Sequence, residues 1–485
     1  MNDLYKNLIK KISYLEEKDI RLVKKSTVIA DYLYQGKFRK TKEPLINHLL
    51  RVALTLADLK SDKDALIASL FHEKIEVEEF QNLITDEFSS DVFSIIQQLY
   101  QLEDFHFSLS ENNDLKTKEN FRNLILSLAQ DSRVITIKLA DVLDDLKTFW
   151  VLEKSQQQQK AKEILEIYSP LAHRLGFLEI NRQIEDLAFP LAFPQEYKLT
   201  KKLVGKRQKK LENYLKTIIP KIGKHLKENN IYPLKIVSRV KSYYSLYKKL
   251  SKEEFDINKV YDLVAMRIVV STVEECYASL GIIYQIYKPL PNRFKDYITF
   301  PKPNGYQSLH TTVIADNNQI IEIQIRTQEM DENAEAGLSA HWLYQSFKDS
   351  KSYLKKKPIF YPQIIGQAQK LQKEFQKKQS VDNFKIDFLK DRIYCFTPKG
   401  DLIDLPEGAT PIDFAYQIHT EIGHQAIGAK VNGKLVSLDY QLKSGEVVEI
   451  LTRKGKKPSS SWLDFVKMEE TKRKILSYLK RQNFS

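Results

Sequence analysis

Through the first 195 residues, leucine, isoleucine and alanine recur at spacings of three and four, as in Leu49, Val52, Leu56 and Leu59, and strand-like runs are few. That spacing predicts an all-helical first domain over 1–195. The periodicity continues from Ile164 to Phe189, where Pro190 and Pro194 are expected to end it, so a boundary is placed near 196. From Val237 the pattern changes. The β-branched runs VYDLVAMRIVV (260–270) and QIIEIQIR (319–326) alternate with helical stretches and predict an α/β or α+β second domain over 196–345. A Lys/Gln-rich helical linker follows over 346–388. Short strands separated by the turns Pro398-Lys399-Gly400, Asn432-Gly433 and Ser444-Gly445 then predict a small β-rich domain over 389–453. No internal repeat is visible.

A chain of 485 residues also exceeds what one hydrophobic core usually supports, which fits two to four domains. Hydrophobic residues at 42% and charged residues at 29% describe a chain able to fold and exclude a disordered one. Cys276 and Cys395 stand far apart without paired metal-ligand spacing, so neither a disulfide framework nor a thiolate site is expected. No apolar stretch reaches the roughly 18 to 20 residues that span a bilayer, and Met1 to Glu17 does not read as a signal peptide, so a cytoplasmic chain is expected. A net charge of +13 points to anionic partners, although runs such as Lys201 to Lys224 read first as solvated helix surface.

The densest chemistry lies in Arg293 to Val313, RFKDYITFPKPNGYQSLHTTV, which gathers three cations, a Pro-Asn-Gly turn, two tyrosines and a histidine. Upstream, Arg239, Lys241 and Ser245 face one way in the pattern and form a candidate phosphate grip, while Tyr244 and Tyr247 pack. Asp262 and Glu322, on two β-branched runs, are carboxylates that neighbouring strands would bring to one divalent ion, as phosphoryl chemistry requires. Taken in order, RxKxxYS, YDLxAxR, RFKDYITFPKPNGYQSLHTT and ExQIRT resemble the synthetase domain of the RelA/SpoT family, with likeness extending from about residue 20 to 480.

The resemblance implies a multidomain chain: an all-α HD-type domain, a mixed α/β nucleotidyltransferase-like synthetase domain and a small β-grasp TGS domain. It implies transfer of pyrophosphate from ATP to the 3′-hydroxyl of GDP or GTP, giving the (p)ppGpp of the stringent response. Asp262 and Glu322 would bind Mg²⁺, and Glu322 would also deprotonate or orient the hydroxyl. Arg239 and Arg267 would sandwich the adenine, with Lys241, Ser245 and Lys249 on the ATP phosphates. Tyr306 would stack on guanine, Lys302, Asn304 and His310 would hold its ribose and phosphates, and Gln324 would lie close by. Arg293 and Lys295 would neutralise the transferring group. The Arg-Phe-Lys-Asp loop is similar to the bifunctional branch, which implies GDP as a good acceptor. Ser238 and Asp331 depart from the usual glycine and histidine.

In the first domain the family's metal phosphohydrolase site aligns with His48, His72-Glu73 and Asp141, flanked by Arg39, Lys40, Glu43-Pro44 and Lys138. The usual His-Asp pair is His72-Glu73, and the longer side chain moves the carboxylate where positioning within roughly 0.5 Å matters. The water-activating Glu-Asp pair reads Glu76-Val77, and the expected asparagine is Asp145, which would repel a phosphate. The expectation is a pseudohydrolase, with slow Mn²⁺-dependent hydrolysis as the alternative. Residues 392–453 resemble a TGS domain, implying contact with uncharged tRNA on the ribosome, with His419 and His424 as candidate contacts or, equally, turn caps. Residues 454–485 resemble the start of a helical region, and whether the chain is short by nature or cut stays open. A non-catalytic tRNA- or ribosome-binding regulator is the rival from another class.

Overall fold

The computed structural model describes residues 3–75, 80–103, 130–257, 260, 263–291, 293–302, 304–337 and 392–482. Two compact units, 1–376 and 377–485, each have their own core.

The first unit opens with helices α1 (Asp3–Lys11), α2 (Glu17–Leu33), α3 (Leu45–Asp58), α4 (Lys63–Ser69), α5 (Phe80–Glu87), α6 (Ser90–Glu103), α7 (Ser132–Leu146), α8 (Lys154–Glu163), α9 (Ser169–Arg174) and α10 (Leu178–Ala192). The apolar stripe read from sequence is its core: Leu49, Val52 and Leu56 are fully enclosed and Leu59 nearly so. Pro190 does not end α10, which runs on to Ala192. Pro194 begins the next helix, α11 (Pro194–Glu228), at a first-turn position where a missing N–H costs nothing. The expected boundary near 196 therefore lies in the first turn of a 35-residue helix.

Beyond α11 come β1 (Lys235–Val240), α12 (Tyr243–Lys252), β2 (Val264–Val270), α13 (Val273–Ile286), β3 (Lys288–Pro289), β4 (Lys295–Asp296), β5 (Leu309–Ile314), β6 (Ile320–Thr327) and α14 (Gln328–Ala336). The strands form one mixed sheet ordered β1-β2-β6-β5-β3, with β4 paired to β5. β2 and β6 are parallel, and β1, β3 and β5 pair antiparallel to their neighbours. Strand alternation divides the sheet into two faces. Met266, Ile268, Ile321, Ile323 and Ile325 join Val204, Leu215 and Ile222 of α11 and Leu246 of α12 in the apolar core. Glu322, Gln324 and Arg326, alternating with those isoleucines, lie on the opposite face. The expected 346–388 linker lies outside the described residues.

The second unit contains β7 (Arg392–Phe396), β8 (Leu402–Pro406), α15 (Pro411–Ile418), α16 (Thr420–His424), β9 (Ala426–Val431), β10 (Lys434–Val436), β11 (Val448–Thr452) and α17 (Glu469–Gln482). β7 pairs with β8, β10 and β11 flank β9, and Cys395, Leu405, Phe414, Val431 and Val448 fill the core between sheets and helix.

Candidate active site

Sheet register gathers the site. Across the strands Arg239 stands opposite Ala265, Ala265 opposite Glu322, and Glu322 opposite Thr312. One step along, Gln324 stands opposite His310, and His310 opposite Lys295. These positions open into a cavity of about 600 Å³ lined by Arg239, Lys241, Ser245, Lys249, Arg293, Lys295, Lys302, Asn304, Tyr306, His310, Glu322 and Gln324. Tyr244 and Tyr247 pack on Phe189, which aims the serine side of α12 at the cavity. Asp262 lies outside the described residues.

Glu322 is the focus. Its Oε1 accepts from Gln324 Nε2 at 2.9 Å and lies 3.1 Å from His310 Nδ1, and Lys241 Nζ is 3.9 Å from Oε2. Burial alone would raise its pKa, but the His310 hydrogen bond and the Lys241 charge outweigh that and hold the carboxyl well below the usual range. It is a carboxylate at neutral pH. The Tyr306 hydroxyl is 2.7 Å from His310 Nε2. Burial lowers His310 to about 4, so the ring is neutral, with Nδ1–H donating to Glu322 and Nε2 accepting from Tyr306. Lys302 Nζ stands 4.7 Å and 5.2 Å from the Tyr297 and Tyr306 ring centres, and burial, with Lys295 and Lys241 nearby, lowers it to about 8. Asn304 Nδ2 donates to the His173 carbonyl at 3.1 Å, tying this loop to the helical half.

Two expectations change. Arg267 does not line the cavity beside Arg239: its guanidinium is 3.0 Å from Asp331 and 3.0 Å from Glu335 of α14, which hold it against that helix. Tyr306 is only 5% exposed, with Lys302 and Arg326 over its ring, so the side chain is packed rather than open to a base. Asp331, the departure noted in sequence, also ion-pairs with fully buried Arg326. Ser238 is exposed on β1.

The helical half holds a second cluster. His48 Nε2 is 3.1 Å from His72 Nε2, 3.3 Å from Asp141 Oδ1 and 3.7 Å from Glu73 Oε1. His72 Nδ1 donates to the Ser69 carbonyl at 2.6 Å, and His48 Nδ1 donates to Asp144 at 2.8 Å. Those outer bonds turn both Nε2 atoms toward one point beside carboxylates; burial would lower His48, but hydrogen bonding to Asp141 and Asp144 outweighs it and raises the ring to about 9, and a divalent cation would take the place of that proton. Glu73 thus reaches the cluster despite its length. Asp145 does not stand as a bare repelling charge, because it pairs with Arg39. Glu76 and Val77 lie outside the described residues. Lys40 is exposed. In the second unit, His419 Nδ1 accepts from the Glu421 N–H at 3.3 Å as the cap of α16, and His424 packs between Tyr416 and Tyr478. Both histidines serve local structure.

Three family models match: HD domain over 26–178, region found in RelA / SpoT proteins over 238–349, and TGS domain over 393–452. The chain is 42% identical over 446 residues to a guanosine-3′,5′-bis(diphosphate) 3′-pyrophosphohydrolase of Aquifex aeolicus, covering 92% of this chain and 62% of that one. It is 39% identical over 470 residues to a GTP pyrophosphokinase of Myxococcus xanthus, covering 97% and 62%. With the bifunctional (p)ppGpp synthase/hydrolase SpoT of Escherichia coli it is 36% identical over 473 residues, covering 96% and 66%. The chain belongs to the RelA/SpoT family. It spans less than two thirds of the length of these relatives, whose names carry both synthesis and hydrolysis. Of the residues that the fold brings to these two clusters, sequence reading missed Glu185, Asp144 and Arg326. Asp144 is signalled by its place one turn after Asp141 on α7, and Arg326 by its place within ExQIRT. Glu185 carries no local signal, since its partners are distant in sequence.

Proposed function

We propose that this protein is a (p)ppGpp synthetase that transfers pyrophosphate from ATP to the 3′-hydroxyl of GDP or GTP. The observation that carries the reading is an ionised, triply contacted Glu322 at the centre of a cavity ringed by Arg239, Lys241, Lys249, Arg293, Lys295 and Lys302. Cations on that scale suit two polyphosphates, and a carboxylate among them suits an attacking hydroxyl. Held well below the usual carboxylate range, Glu322 orients the hydroxyl and accepts its hydrogen bond more readily than it takes the full proton. With Asp262 it would hold Mg²⁺, which supplies charge neutralisation on the phosphates. Lys241, Ser245 and Lys249 bind ATP phosphates, while Lys302, Asn304 and His310 face the acceptor. Guanine stacking by Tyr306 requires Lys302 to leave its ring. The adenine rests on Arg239, with Arg267 held behind by α14.

The test is purified protein with Mg²⁺, labelled ATP and GDP or GTP, separated by chromatography. A 3′-pyrophosphorylated guanosine product that disappears in Glu322→Gln supports the reading. No product, even with ribosomes and uncharged tRNA, favours a binding regulator acting through the TGS region.

A second reading rests on the His48, His72, Asp141 and Glu73 cluster. Its fixed tautomers suit Mn²⁺, so the domain is a hydrolase rather than a pseudohydrolase if ppGpp with Mn²⁺ releases pyrophosphate and His72→Ala abolishes the release. Work in the cytoplasm follows from the substrates.

A further inference from the structure

The wall of the cavity opposite the sheet is α10, whose Leu178, Asn181, Arg182 and Glu185 follow one helical face into it. Glu185 is 2% exposed, although it is a carboxylate on the helical half of the unit. Its Oε2 accepts from the Ser242 hydroxyl and from Ser245 Oγ at 2.8 Å. Its Oε1 accepts from Lys248 Nζ at 3.3 Å and from Ser169 Oγ at 3.4 Å. Ser242 is the N-cap of the 10-residue α12 and its Oγ accepts from the Ser245 N–H, so this anion sits where the dipole of that helix favours negative charge. Lys241 and Lys249 line the same end of the cavity.

Three hydroxyls and an ammonium at a helix N-terminus form the donor set that a phosphate oxygen seeks. Resting on the synthetase reading above, which places ATP phosphates on Lys241, Ser245 and Lys249, we propose that Glu185 is an internal occupant of the ATP phosphate grip and that ATP binds by displacing it. Both anions cannot share Ser245 at contact distance in a low-dielectric pocket without strong repulsion. Displacement moves a side chain anchored on α10, so nucleotide entry loosens that helix. Glu185 is then an affinity-determining residue, placed against productive binding until enough phosphate charge arrives.

Calorimetric titration of the 485-residue protein with inorganic pyrophosphate, for wild type, Glu185→Gln and Glu185→Ala, tests this directly. Glutamine keeps the shape and the acceptor oxygen while removing the charge. Pyrophosphate affinity is expected to rise roughly tenfold or more in Glu185→Gln, and the KM for ATP to fall while kcat does not rise. A scaffolding role would move neither in that direction. Unchanged or weaker pyrophosphate binding in a folded Glu185→Gln protein overturns the proposal, as does absence of pyrophosphate binding in every form. Hydrogen exchange on the wild type needs no variant: amides of 178–192 are expected to lose protection when pyrophosphate binds, and unchanged protection counts against displacement. If affinity rises in Glu185→Gln but no form makes a guanosine product, the grip stands and the synthetase reading falls. If product forms with an unaltered KM for ATP, the synthetase stands and the displacement does not.

Discussion

Lys302 shows how much a single environment decides. Burial and two neighbouring lysines bring its ammonium to about 8, so the protonated form, which the proposed synthetase reading sets on acceptor phosphates, is lost just above neutrality. In the free enzyme, kcat/KM for GDP should fall as pH rises through about 8, and Lys302→Arg, whose charge persists, should carry that limb to higher pH. An alkaline limb unmoved by the arginine would assign it elsewhere. His310 works in the other direction. Its pKa drops from 6.5 to about 4 because burial outweighs the Glu322 bond. Between those values the unfolded chain binds more protons than the native one, so the stabilisation is present above pH 6.5 and lost as pH falls toward 4. Replacing it in His310→Gln should shrink the loss of unfolding free energy between pH 7 and pH 5 by about 2 kcal/mol, read from denaturant titrations. Half of the cavity residues named above were legible because their types cluster in Arg293 to Val313. Arg267 was not, because its role depends on Asp331 and Glu335, which reach it only through folding.

Periods of 3.6 and 2 are enforced by burial, so the helical half and the two β-branched strands were readable. Pro190 misled because the packing of α10, whose Ala188, Phe189 and Ala192 are buried around it, carries the helix on to Ala192 despite the one bond its missing N–H forfeits. The close approach of α14 to the turn between α9 and α10 had no apolar signature at all. It depends on Gly337, at φ +55°, where an added Cβ would fall 2.8 Å from the Gly176 carbonyl carbon and the Phe177 nitrogen. Gly337→Ala combines left-handed strain with a backbone clash that no side-chain motion relieves, and should cost about 2 kcal/mol or more. Because a Cβ built at Gly176 would lie 3.1 Å from the Asn304 carbonyl, this turn abuts the Asn304 loop, and the substitution should raise the KM for GDP as well as lower the melting temperature. A stability loss with an unchanged KM would show that the turn supports the fold but not the acceptor loop.

For the molecule as a whole, the decisive relations are those that join segments far apart in sequence. Glu185 and Ser245 meet across 60 positions, which no window of the sequence could signal. The second unit has its own example in Asp413, a carboxylate that is fully buried at the start of α15. It accepts from the Thr410 N–H at 3.0 Å and the Thr410 hydroxyl at 3.1 Å, and from the Lys467 and Met468 N–H groups, each at 3.0 Å. Burial raises its pKa, with these hydrogen bonds opposing that shift. One side chain therefore fastens the helix of the β-grasp to the segment leading into α17. Asp413→Ala would leave the Lys467 and Met468 N–H groups without this acceptor, and the buried Met468 N–H alone should cost about 1 to 3 kcal/mol. Since 377–485 is a compact unit with its own core, scanning calorimetry should show that loss as a lowered transition for this unit. The same variant should have α17 amides that exchange faster than in the wild type. A calorimetric trace in which this transition does not move would mean that water or a neighbouring acceptor replaces the carboxylate, and that the apolar cluster of Ile412, Tyr416, Trp462, Val466 and Ile475, with the Lys474 bond to the Tyr416 carbonyl, suffices to hold α17.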